Sequence, residues 1–317
     1  MATYRQGSRG PRVEAIQQRL KALGHYVGAV DGIYGAGTER AVEAFQRAEG
    51  LDADGIVGPA SWSQLFAEEE ANPSAILDEP LDYRILALTA SFETGSPPPR
   101  CFSGISGDFD GQGISFGVLQ WNFGQGSLQP LLDKMDERHP EVMQEVFGGH
   151  LDRLRSVLQS SQDEQMQWTH SIQGHANTAL DEPWYGLFKQ LGNCREYQRI
   201  QVEAARGIYE AALGLASNYG LDSERAVALM FDIKVQNGSI SGLTKRQIRK
   251  DFDALADDAD EVARLRIIAN RRAEASNPRW IEDVRIRKLT IANGNGSVHG
   301  IHYELDRDYG ISLGSAF

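Results

Sequence analysis

Apolar residues recur at helical spacing through most of this 317-residue chain. In the first such segment they stand three or four positions apart: Val13, Ile16, Leu20 and Leu23. Pro11 near the start and Gly24 after the last of them are typical of the first turn and the end of a helix. Residues 35–50 repeat the pattern, and residues 58–66 predict a third, short helix. Residues 1–66 are therefore expected to form a three-helix domain.

The remainder of the chain is also mostly helical in pattern. Residues 81–93 are apolar at positions 81, 85, 86, 88 and 92, and this helix delivers Glu93 at its end. Further helical stretches with charged faces are expected at 141–160, 195–217, 222–236 and 245–272. Strand-like runs are confined to 113–121 and 286–292. The predicted fold class is mainly α: the three-helix domain followed by an α+β domain with a small β-region.

A strongly acidic segment separates these two parts. Residues 67–82 carry six acidic side chains and no basic one, together with Pro73 and Pro80. Charged, proline-containing segments of this kind are typical of solvated linkers. The predicted domains are residues 1–66, a linker over 67–82, and residues 83–317.

The formal net charge of −12 argues against nucleic acid as a partner, because phosphate backbones require a basic surface. No apolar run is long enough to insert into a membrane. The opening residues, MATYRQGSRG, lack the apolar core of a signal peptide, so synthesis in the cytoplasm without a general export signal is expected. Cys101 and Cys194 are too few for a disulfide framework; two free thiols are expected, with a single disulfide as the alternative.

Two acids in contrasting surroundings are the candidate chemistry. Hydrolysis of a glycosidic bond requires one carboxyl group that protonates the leaving oxygen and a second that acts at the anomeric carbon or its water. Glu93 ends an apolar helix, where partial burial favours a protonated acid. Asp110 lies in the glycine-rich sequence GDFDGQG, where the backbone allows a sugar or a water to approach closely.

The N-terminal segment resembles a known family. The doubled sequences DGIYG (31–35) and DGIVG (54–58), together with AVEAFQ (41–46), resemble the type 1 peptidoglycan-binding domain. The resemblance implies a module that holds cell-wall peptide or glycan near an attached hydrolase. Tyr34 and Trp62 are the substrate contacts predicted in this module.

The sequences FETG (92–95) and GDFDGQGISFGVLQWN (107–122) resemble the catalytic stretch of the lysozyme superfamily, and bacterial chitosanases in particular. This resemblance implies Glu93 as the general acid, Asp110 as the general base and Ser115 as the residue that positions the attacking water. It also implies that Gln120 faces the cleft. Asp108 is the rival base. The predicted substrate contacts in this domain are Asp108, Gln120, Asn122 and Asn237.

Two further segments, FDIKVQNG (231–238) and ANRRAEASNPRWIEDVRIRK (269–288), resemble the chitosanase segments that carry an Asp and its arginine partners. That resemblance implies a charge network touching the acid. Its implied members are Asp232, Arg279 and Arg285, with Arg271 or Arg272 as the earlier arginine.

No metal or organic cofactor is expected. Counted from Asp108, the twelfth position of an EF-hand loop is Leu119 instead of the Glu that binds calcium. Two histidine pairs, His170 with His175 and His299 with His302, lack the further ligands of a zinc site.

These observations together predict a peptidoglycan hydrolase. Because chitosan is cationic and this chain carries a wall-binding module, the N-acetylated wall glycan is the expected substrate. The expected activity is an inverting N-acetylmuramidase, with chitosanase or chitinase, lytic transglycosylase and a non-catalytic wall-binding protein as alternatives. The expected settings are a phage endolysin, or an injected effector accompanied by an immunity protein, that acts on the wall in the periplasm.

Overall fold

The computed structural model of the chain describes residues 4–8, 11–66, 75–174, 180–256 and 258–316. The first part contains helices α1 (Pro11–Ala22), α2 (Ala36–Ala48) and α3 (Pro59–Leu65). Their shared core is formed by Val13, Ile16, Leu20, Tyr34, Ala41, Val42, Phe45, Val57, Leu65 and Phe66. The predicted three-helix domain is therefore confirmed. Leu23 is 40% exposed, because α1 ends one residue before it.

Two buried glutamines organise the repeated DG-I-x-G sequences of this domain in the same way. The Nε2 of Gln17 donates to Asp31 Oδ1 at 2.8 Å, and its Oε1 accepts from the backbone amide of Gly32 at 2.9 Å. The Nε2 of Gln46 donates to Asp54 Oδ1 at 2.9 Å, and its Oε1 accepts from Gly55 N at 2.9 Å. Each glutamine thus holds one Asp-Gly turn, so the sequence echo is also a structural repeat.

The second domain begins earlier than the acidic composition suggests. Of the predicted linker, residues 67–74 lie outside the described residues. A 3-10 turn at Ala75–Asp78 follows them and buries Ile76 in the second domain's core. Glu79 pairs with Arg195. Helix α4 (Leu81–Thr94) starts at once after it, so the described part of the predicted linker is packed structure instead of a solvated tether.

The rest of the described chain is mainly helical. The helices are α5 (Gln129–Arg138), α6 (Pro140–Phe147), α7 (Leu151–Leu158), α8 (Gln162–Ser171), α9 (Trp184–Asn193), α10 (Arg195–Ser217), α11 (Glu224–Asn237), α12 (Gly242–Asp253), α13 (Glu261–Glu274), α14 (Ile281–Asn293) and α15 (Leu305–Tyr309). Further 3-10 turns lie at Arg100–Ser103, Gly148–His150 and Pro278–Trp280. The stretch predicted at 141–160 is interrupted at Gly148, whose φ of 49° an L-residue rarely adopts.

The β-structure is small and antiparallel. Strands β1 (Ile105–Ser106), β2 (Ser115–Phe116) and β3 (Trp121–Asn122) form one sheet in that order. Gly117, the residue directly after β2, has a φ of 83°. A separate hairpin joins β4 (Asn295–Val298) to β5 (Ile301–Glu304). The predicted mainly helical fold with a small β-region is confirmed.

The strand expected at 286–292 is wrong, because these residues lie within α14. The run is rich in β-branched side chains, but its buried positions follow a helical period. The buried positions of α14 as a whole are Val284, Arg287, Lys288, Thr290, Ile291 and Ala292. Two of the six are charged, so the inward stripe does not look apolar in the sequence.

Two hydrophobic cores divide the second domain into lobes. One core contains Phe92 of α4 and most of the buried residues of α11. The other contains Ile114 and Phe116, which flank Ser115. Helix α10 contributes to both, with Ala205 in the first core and Tyr197 and Ile200 in the second. Glu93 therefore belongs to one lobe, and the loop that carries Asp110 belongs to the other.

Candidate active site

Helix α4 presents Glu93 to solvent from its last turn. The helix ends at Gly95, which takes the left-handed conformation at φ 65° and donates its N–H to Ser91 O at 2.9 Å. Glycine is favoured at this position because it has no Cβ to clash. The side chain of Glu93 is 46% exposed, whereas Phe92 before it is 1% exposed. The acid is thus more exposed than the sequence suggested, although apolar residues back it.

A buried arginine fixes the orientation of Glu93. The Nη1 of Arg287 donates to Glu93 Oε1 at 2.5 Å. The same guanidinium donates from Nε and Nη2 to Asp232 Oδ1, at 2.9 and 2.6 Å. Arg287 is 1% exposed and Asp232 is fully buried. The Arg287 guanidinium also lies 5.2 Å from the centre of the Phe92 ring.

Lys288 completes this network on the far side of Asp232. Its Nζ donates to Asp232 Oδ2 and, at 2.6 Å, to Gln236 Oε1. Burial lowers the pKa of Lys288 to about 8, although the Asp232 carboxylate acts in the opposite direction. Burial would raise the pKa of Asp232, but Arg287 and Lys288 outweigh it, so that pKa lies below its ordinary value. The network therefore holds Asp232 ionised between two cations.

Such a network is costly to bury. Removing charges from water costs several kcal/mol per ion, and well-packed apolar side chains are often as stabilising. Instead, the arrangement places the rigid guanidinium of Arg287 against Glu93, which is the carboxylate of this network that reaches solvent. Buried groups with shifted pKa values, such as Asp232 and Lys288, are often found at functional sites.

The loop between β1 and β2 carries the second acid. Asp110 is exposed, and its Oδ1 accepts from the backbone amide of Gln112 at 3.1 Å. The backbone amide of Gly124 donates to Gln112 O at 2.8 Å, which ties the loop to the turn after β3. The backbone around Asp110 is therefore held in place. One oxygen of the Asp110 carboxylate accepts the bond from Gln112 N, and the other oxygen takes no part in that bond.

Asp108, the rival base, is held differently. Its side chain is 7% exposed, and its Oδ2 lies 2.7 Å from Nε2 of His170. Its backbone amide donates to Gln173 Oε1 at 2.7 Å. Burial alone would raise the pKa of Asp108, but the His170 hydrogen bond and the amides of Gly113 and Gly111 outweigh it, so the pKa is lowered. The carboxylate of Asp108 is thus nearly buried and bonded to His170, whereas that of Asp110 is exposed.

Ser115 lies in the small sheet, and Gln120 lies in the turn between its strands β2 and β3. Ser115 is 5% exposed on the central strand, opposite Ser106 and Asn122. Gln120 is exposed and adopts a φ of 54°. Its Oε1 accepts from Ser106 Oγ at 2.9 Å, and its Nε2 donates to Gly117 O at 2.9 Å.

The start of the sheet also packs against the end of α4, the helix that bears Glu93. A Cβ on Gly104, at the entry to β1, would lie 3.3 Å from Thr94 Cγ2 and 3.4 Å from Gln120 Nε2. Gln120 and the end of α4 therefore both lie against Gly104, and the expectation that Gln120 faces the cleft stays a prediction.

The arginines assigned from the sequence make other contacts. Arg272, the alternative to Arg271, donates to Ser276 Oγ at 3.5 Å. Arg279 stacks on Trp280, with its Cζ 4.8 Å from the ring centre. Arg285 donates to Glu282 at 2.9 Å, and Arg271 pairs with Asp251 and Glu274. The correct partner of Glu93 and Asp232 is Arg287. The physical reason is helical phase: Arg285 lies two residues from Arg287 and so points to another side of α14.

The remaining predicted substrate contacts differ in how far they are buried. Tyr34 is 1% exposed and donates its hydroxyl to Gly55 O at 2.8 Å, so it is a core residue instead of a surface contact. Asn122 is 6% exposed, and its Oδ1 accepts from Gln125 N at 2.8 Å within a turn. Trp62 is half-buried against Phe66, at 4.3 Å between ring centres. Asn237 is half-buried at the end of α11.

The sequence carried one overlooked signal. Arg287 and Lys288 follow Val284 and precede Ile291 at helical spacing, which places both cations in an inward stripe. Charged residues in such a stripe require buried partners. His170 and Gln173 had no comparable signal, because their contacts with the Asp108 loop span more than sixty residues.

Among the described residues there is neither a metal-binding cluster nor a membrane-spanning helix. Within them, no group of three or more His, Cys, Asp or Glu side chains is placed to hold a metal ion. Across the same ranges, no helix combines the length and apolar character needed to span a bilayer. Cys101 and Cys194 are free thiols, as expected.

Comparison with known proteins identifies the first domain. Residues 9–65 match the family model described as "Putative peptidoglycan binding domain". N-acetylmuramoyl-L-alanine amidase CwlM of Mycobacterium tuberculosis is 38% identical over 95 residues, which is 25% of this chain and 23% of that protein. A spore cortex-lytic enzyme of Bacillus cereus is 44% identical over 59 residues, 19% of this chain and 23% of that protein. The chain therefore spans about a quarter of the length of these curated relatives.

Among solved structures, a chitosanase complex aligns with 72% of this chain and 98% of its own. The sequence identity is 18% and the TM-score is 0.45.

Proposed function

We propose, from the premise that residues 9–65 belong to the peptidoglycan-binding domain family, that this chain is a cell-wall glycoside hydrolase. The first domain holds the wall, and the second cuts the β-1,4 glycan between MurNAc and GlcNAc. A tethered binding module raises the effective concentration of substrate at the second site.

The observation that carries this proposal is the fixed Glu93 carboxyl group. Arg287 holds one oxygen of Glu93, and Asp232 holds Arg287, while the Glu93 side chain remains 46% exposed. A general acid must be both accessible to the glycosidic oxygen and held in one orientation, because misplacement by about 1 Å costs about 100-fold in rate. Glu93 meets both requirements.

In the proposed mechanism, Glu93 protonates the leaving oxygen of the glycosidic bond. Asp110, exposed on the loop of the other lobe, removes a proton from the attacking water on the opposite face of the sugar. Ser115, on the strand that follows this loop, helps to orient that water. Direct attack by water inverts the anomeric configuration.

The wall-binding module favours peptidoglycan over chitosan as the substrate. Chitosan is a polycation, whereas the glycan that the family of the first domain binds is N-acetylated and peptide-bearing. The motif resemblance to chitosanases makes chitosan hydrolysis the competing outcome, and release of anhydro-MurNAc would indicate a transglycosylase. Delivery by phage lysis or by injection with an immunity protein remains a prediction.

Release of dye-labelled fragments from purified sacculi tests the proposal. We expect Glu93→Gln and Asp110→Asn each to lower the release rate at least about 100-fold, since general acid–base catalysis contributes about 10²–10⁴. Glu282→Gln, a change at an acid that is 72% exposed, is the matched control and should retain the wild-type rate. Pelleting with sacculi should show unchanged binding for all variants. A wild-type release rate in Glu93→Gln would refute the assignment of the acid.

A further inference from the structure

Helix α8 and the residues just after it form hydrogen bonds to the loop that carries Asp110. His170 Nε2 lies 2.7 Å from Asp108 Oδ2, and Gln173 Oε1 accepts from Asp108 N at 2.7 Å. The Nε2 of Gln173 in turn donates to Thr169 O at 2.8 Å. Two side chains therefore hold one residue of the loop, one through its carboxylate and one through its backbone.

The same helix supports the loop at its other end. A Cβ built on Gly113 would lie 2.9 Å from Thr169 Oγ1 and 3.2 Å from Met166 Sδ, so the backbone of the loop rests directly on α8. Gln162, in the first turn of α8, donates to Gly124 O at 2.6 Å. Gly124 is the residue that bonds to Gln112 of the loop.

We propose that His170 and Gln173 are positioning residues that act through Asp108 to place the Asp110 carboxylate for the reaction. This inference rests on the proposed function, since it assigns these residues a part in that same site. Neither residue is expected to touch the glycan or the attacking water. Their effect is to select one conformation of the segment Gly107–Ile114.

The composition of the loop explains why such support is needed. Gly111 and Gly113 adopt φ values of 81° and 74°. Gly111 directly follows Asp110, and Gly113 lies two residues further on. Glycine loses more conformational freedom on ordering than other residues, so a loop of this kind does not hold one shape by itself. Asp108 supplies a fixed point two residues before Asp110.

The surroundings of Asp108 fit this role better than that of a base. Its side chain is 7% exposed, whereas that of His170 is 48% exposed. The partly solvated imidazole therefore covers a nearly buried carboxylate. An ion pair or charge-assisted hydrogen bond in such a place is stronger than one on the open surface.

Kinetics of His170 variants provide the first test. His170→Leu removes the partner of Asp108, whereas His170→Gln keeps an N–H donor within reach. We expect His170→Leu to lower kcat about 10- to 100-fold with KM changed less than about twofold, and His170→Gln to recover most of kcat. His302→Gln is the matched control, because His302 is also 48% exposed and also faces a carboxylate, Glu304, at 3.5 Å.

Hydrogen–deuterium exchange separates this inference from the proposed function. Amides of residues 107–114 should exchange faster in His170→Leu and in Gln173→Met than in the wild type, and at the wild-type rate in His302→Gln. This readout needs no activity, so it stands even if Glu93→Gln shows that the proposed function is wrong. Wild-type exchange of residues 107–114 in both His170→Leu and Gln173→Met would overturn the inference. So would a loss of kcat in His302→Gln equal to that in His170→Leu. If His170→Leu does not fold, Gln173→Met and His170→Gln decide the question.

Discussion

Arg287 donates from Nη1 to Oε1 of Glu93 at 2.5 Å, and this contact joins a fully buried charge network to a carboxyl group that faces solvent. Because the same guanidinium is bound twice by Asp232, it cannot rotate without breaking a buried ion pair. The position of Glu93 is therefore determined by residues far from it in sequence.

Replacing this arginine should affect both activity and stability. Arg287→Gln leaves Asp232 with Lys288 alone, and breaking a buried pair costs about 3–5 kcal/mol. We expect a loss of that size in the free energy of unfolding in urea, together with a fall in kcat on sacculi. Arg285→Gln changes a partly exposed arginine on the same helix and should shift stability by less than about 0.5 kcal/mol. Equal effects from the two changes would contradict the network.

Asp232→Asn should produce a pH-dependent loss of stability. The folded-state pKa of Asp232 lies below its ordinary value, so ionised Asp232 stabilises the fold above about pH 4. This contribution is lost as the pH falls through the folded-state value, where the wild-type carboxylate takes up its proton. The difference in unfolding free energy between wild type and Asp232→Asn should therefore narrow below about pH 4. Urea titrations at pH 7, 4 and 3 measure it, and a difference that widens on acidification would refute the assignment.

The two acids of the loop should differ in their kinetic roles. Asp110→Asn removes the proposed base and should lower kcat at least about 100-fold. Asp108→Asn keeps the shape of the side chain and a polar group next to His170, so we expect a smaller loss of kcat, of about tenfold. Ser115→Ala should lie between the wild type and Asp110→Asn. Steady-state kinetics on solubilised glycan strands give these values, and a larger loss in Asp108→Asn than in Asp110→Asn would reverse the two assignments.

The glutamine repeat should support the wall-binding domain. Gln17→Met leaves the buried backbone amide of Gly32 without its acceptor, and an unsatisfied buried polar group costs about 1–3 kcal/mol. We expect a lower unfolding temperature for this domain and weaker pelleting with sacculi. Gln64→Met, at an exposed glutamine that bonds Glu49, is the control. Unchanged binding and melting in Gln17→Met would show that the turn does not depend on the glutamine.

The helical parts of the fold follow from local signals in the sequence. Val13, Ile16 and Leu20 lie on the inward face of α1, and each is fully buried. The end of α4 at Gly95 was marked by the glycine itself. The run at 286–292 misled because β-branched residues suggest a strand, whereas tertiary packing of α14 against its neighbours selected the helix.

The candidate site was only partly accessible to such reasoning. Glu93 and Asp110 occur close together in the chain, within short motifs, and could be named from it. Arg287 contacts Glu93 across 194 residues, and His170 contacts Asp108 across 62 residues, so no local pattern links either pair. The packing of whole helices decides which of several nearby arginines reaches a buried aspartate.

Mass spectrometry of the fragments released from purified sacculi tests the central claim most directly. The wild type should release muropeptides that end in reducing MurNAc, and Glu93→Gln, with unchanged sacculus binding, should release none. Reducing GlcNAc ends or anhydro-MurNAc would contradict the muramidase assignment. Fragment release by Glu93→Gln at the wild-type level would contradict the account of the acid itself.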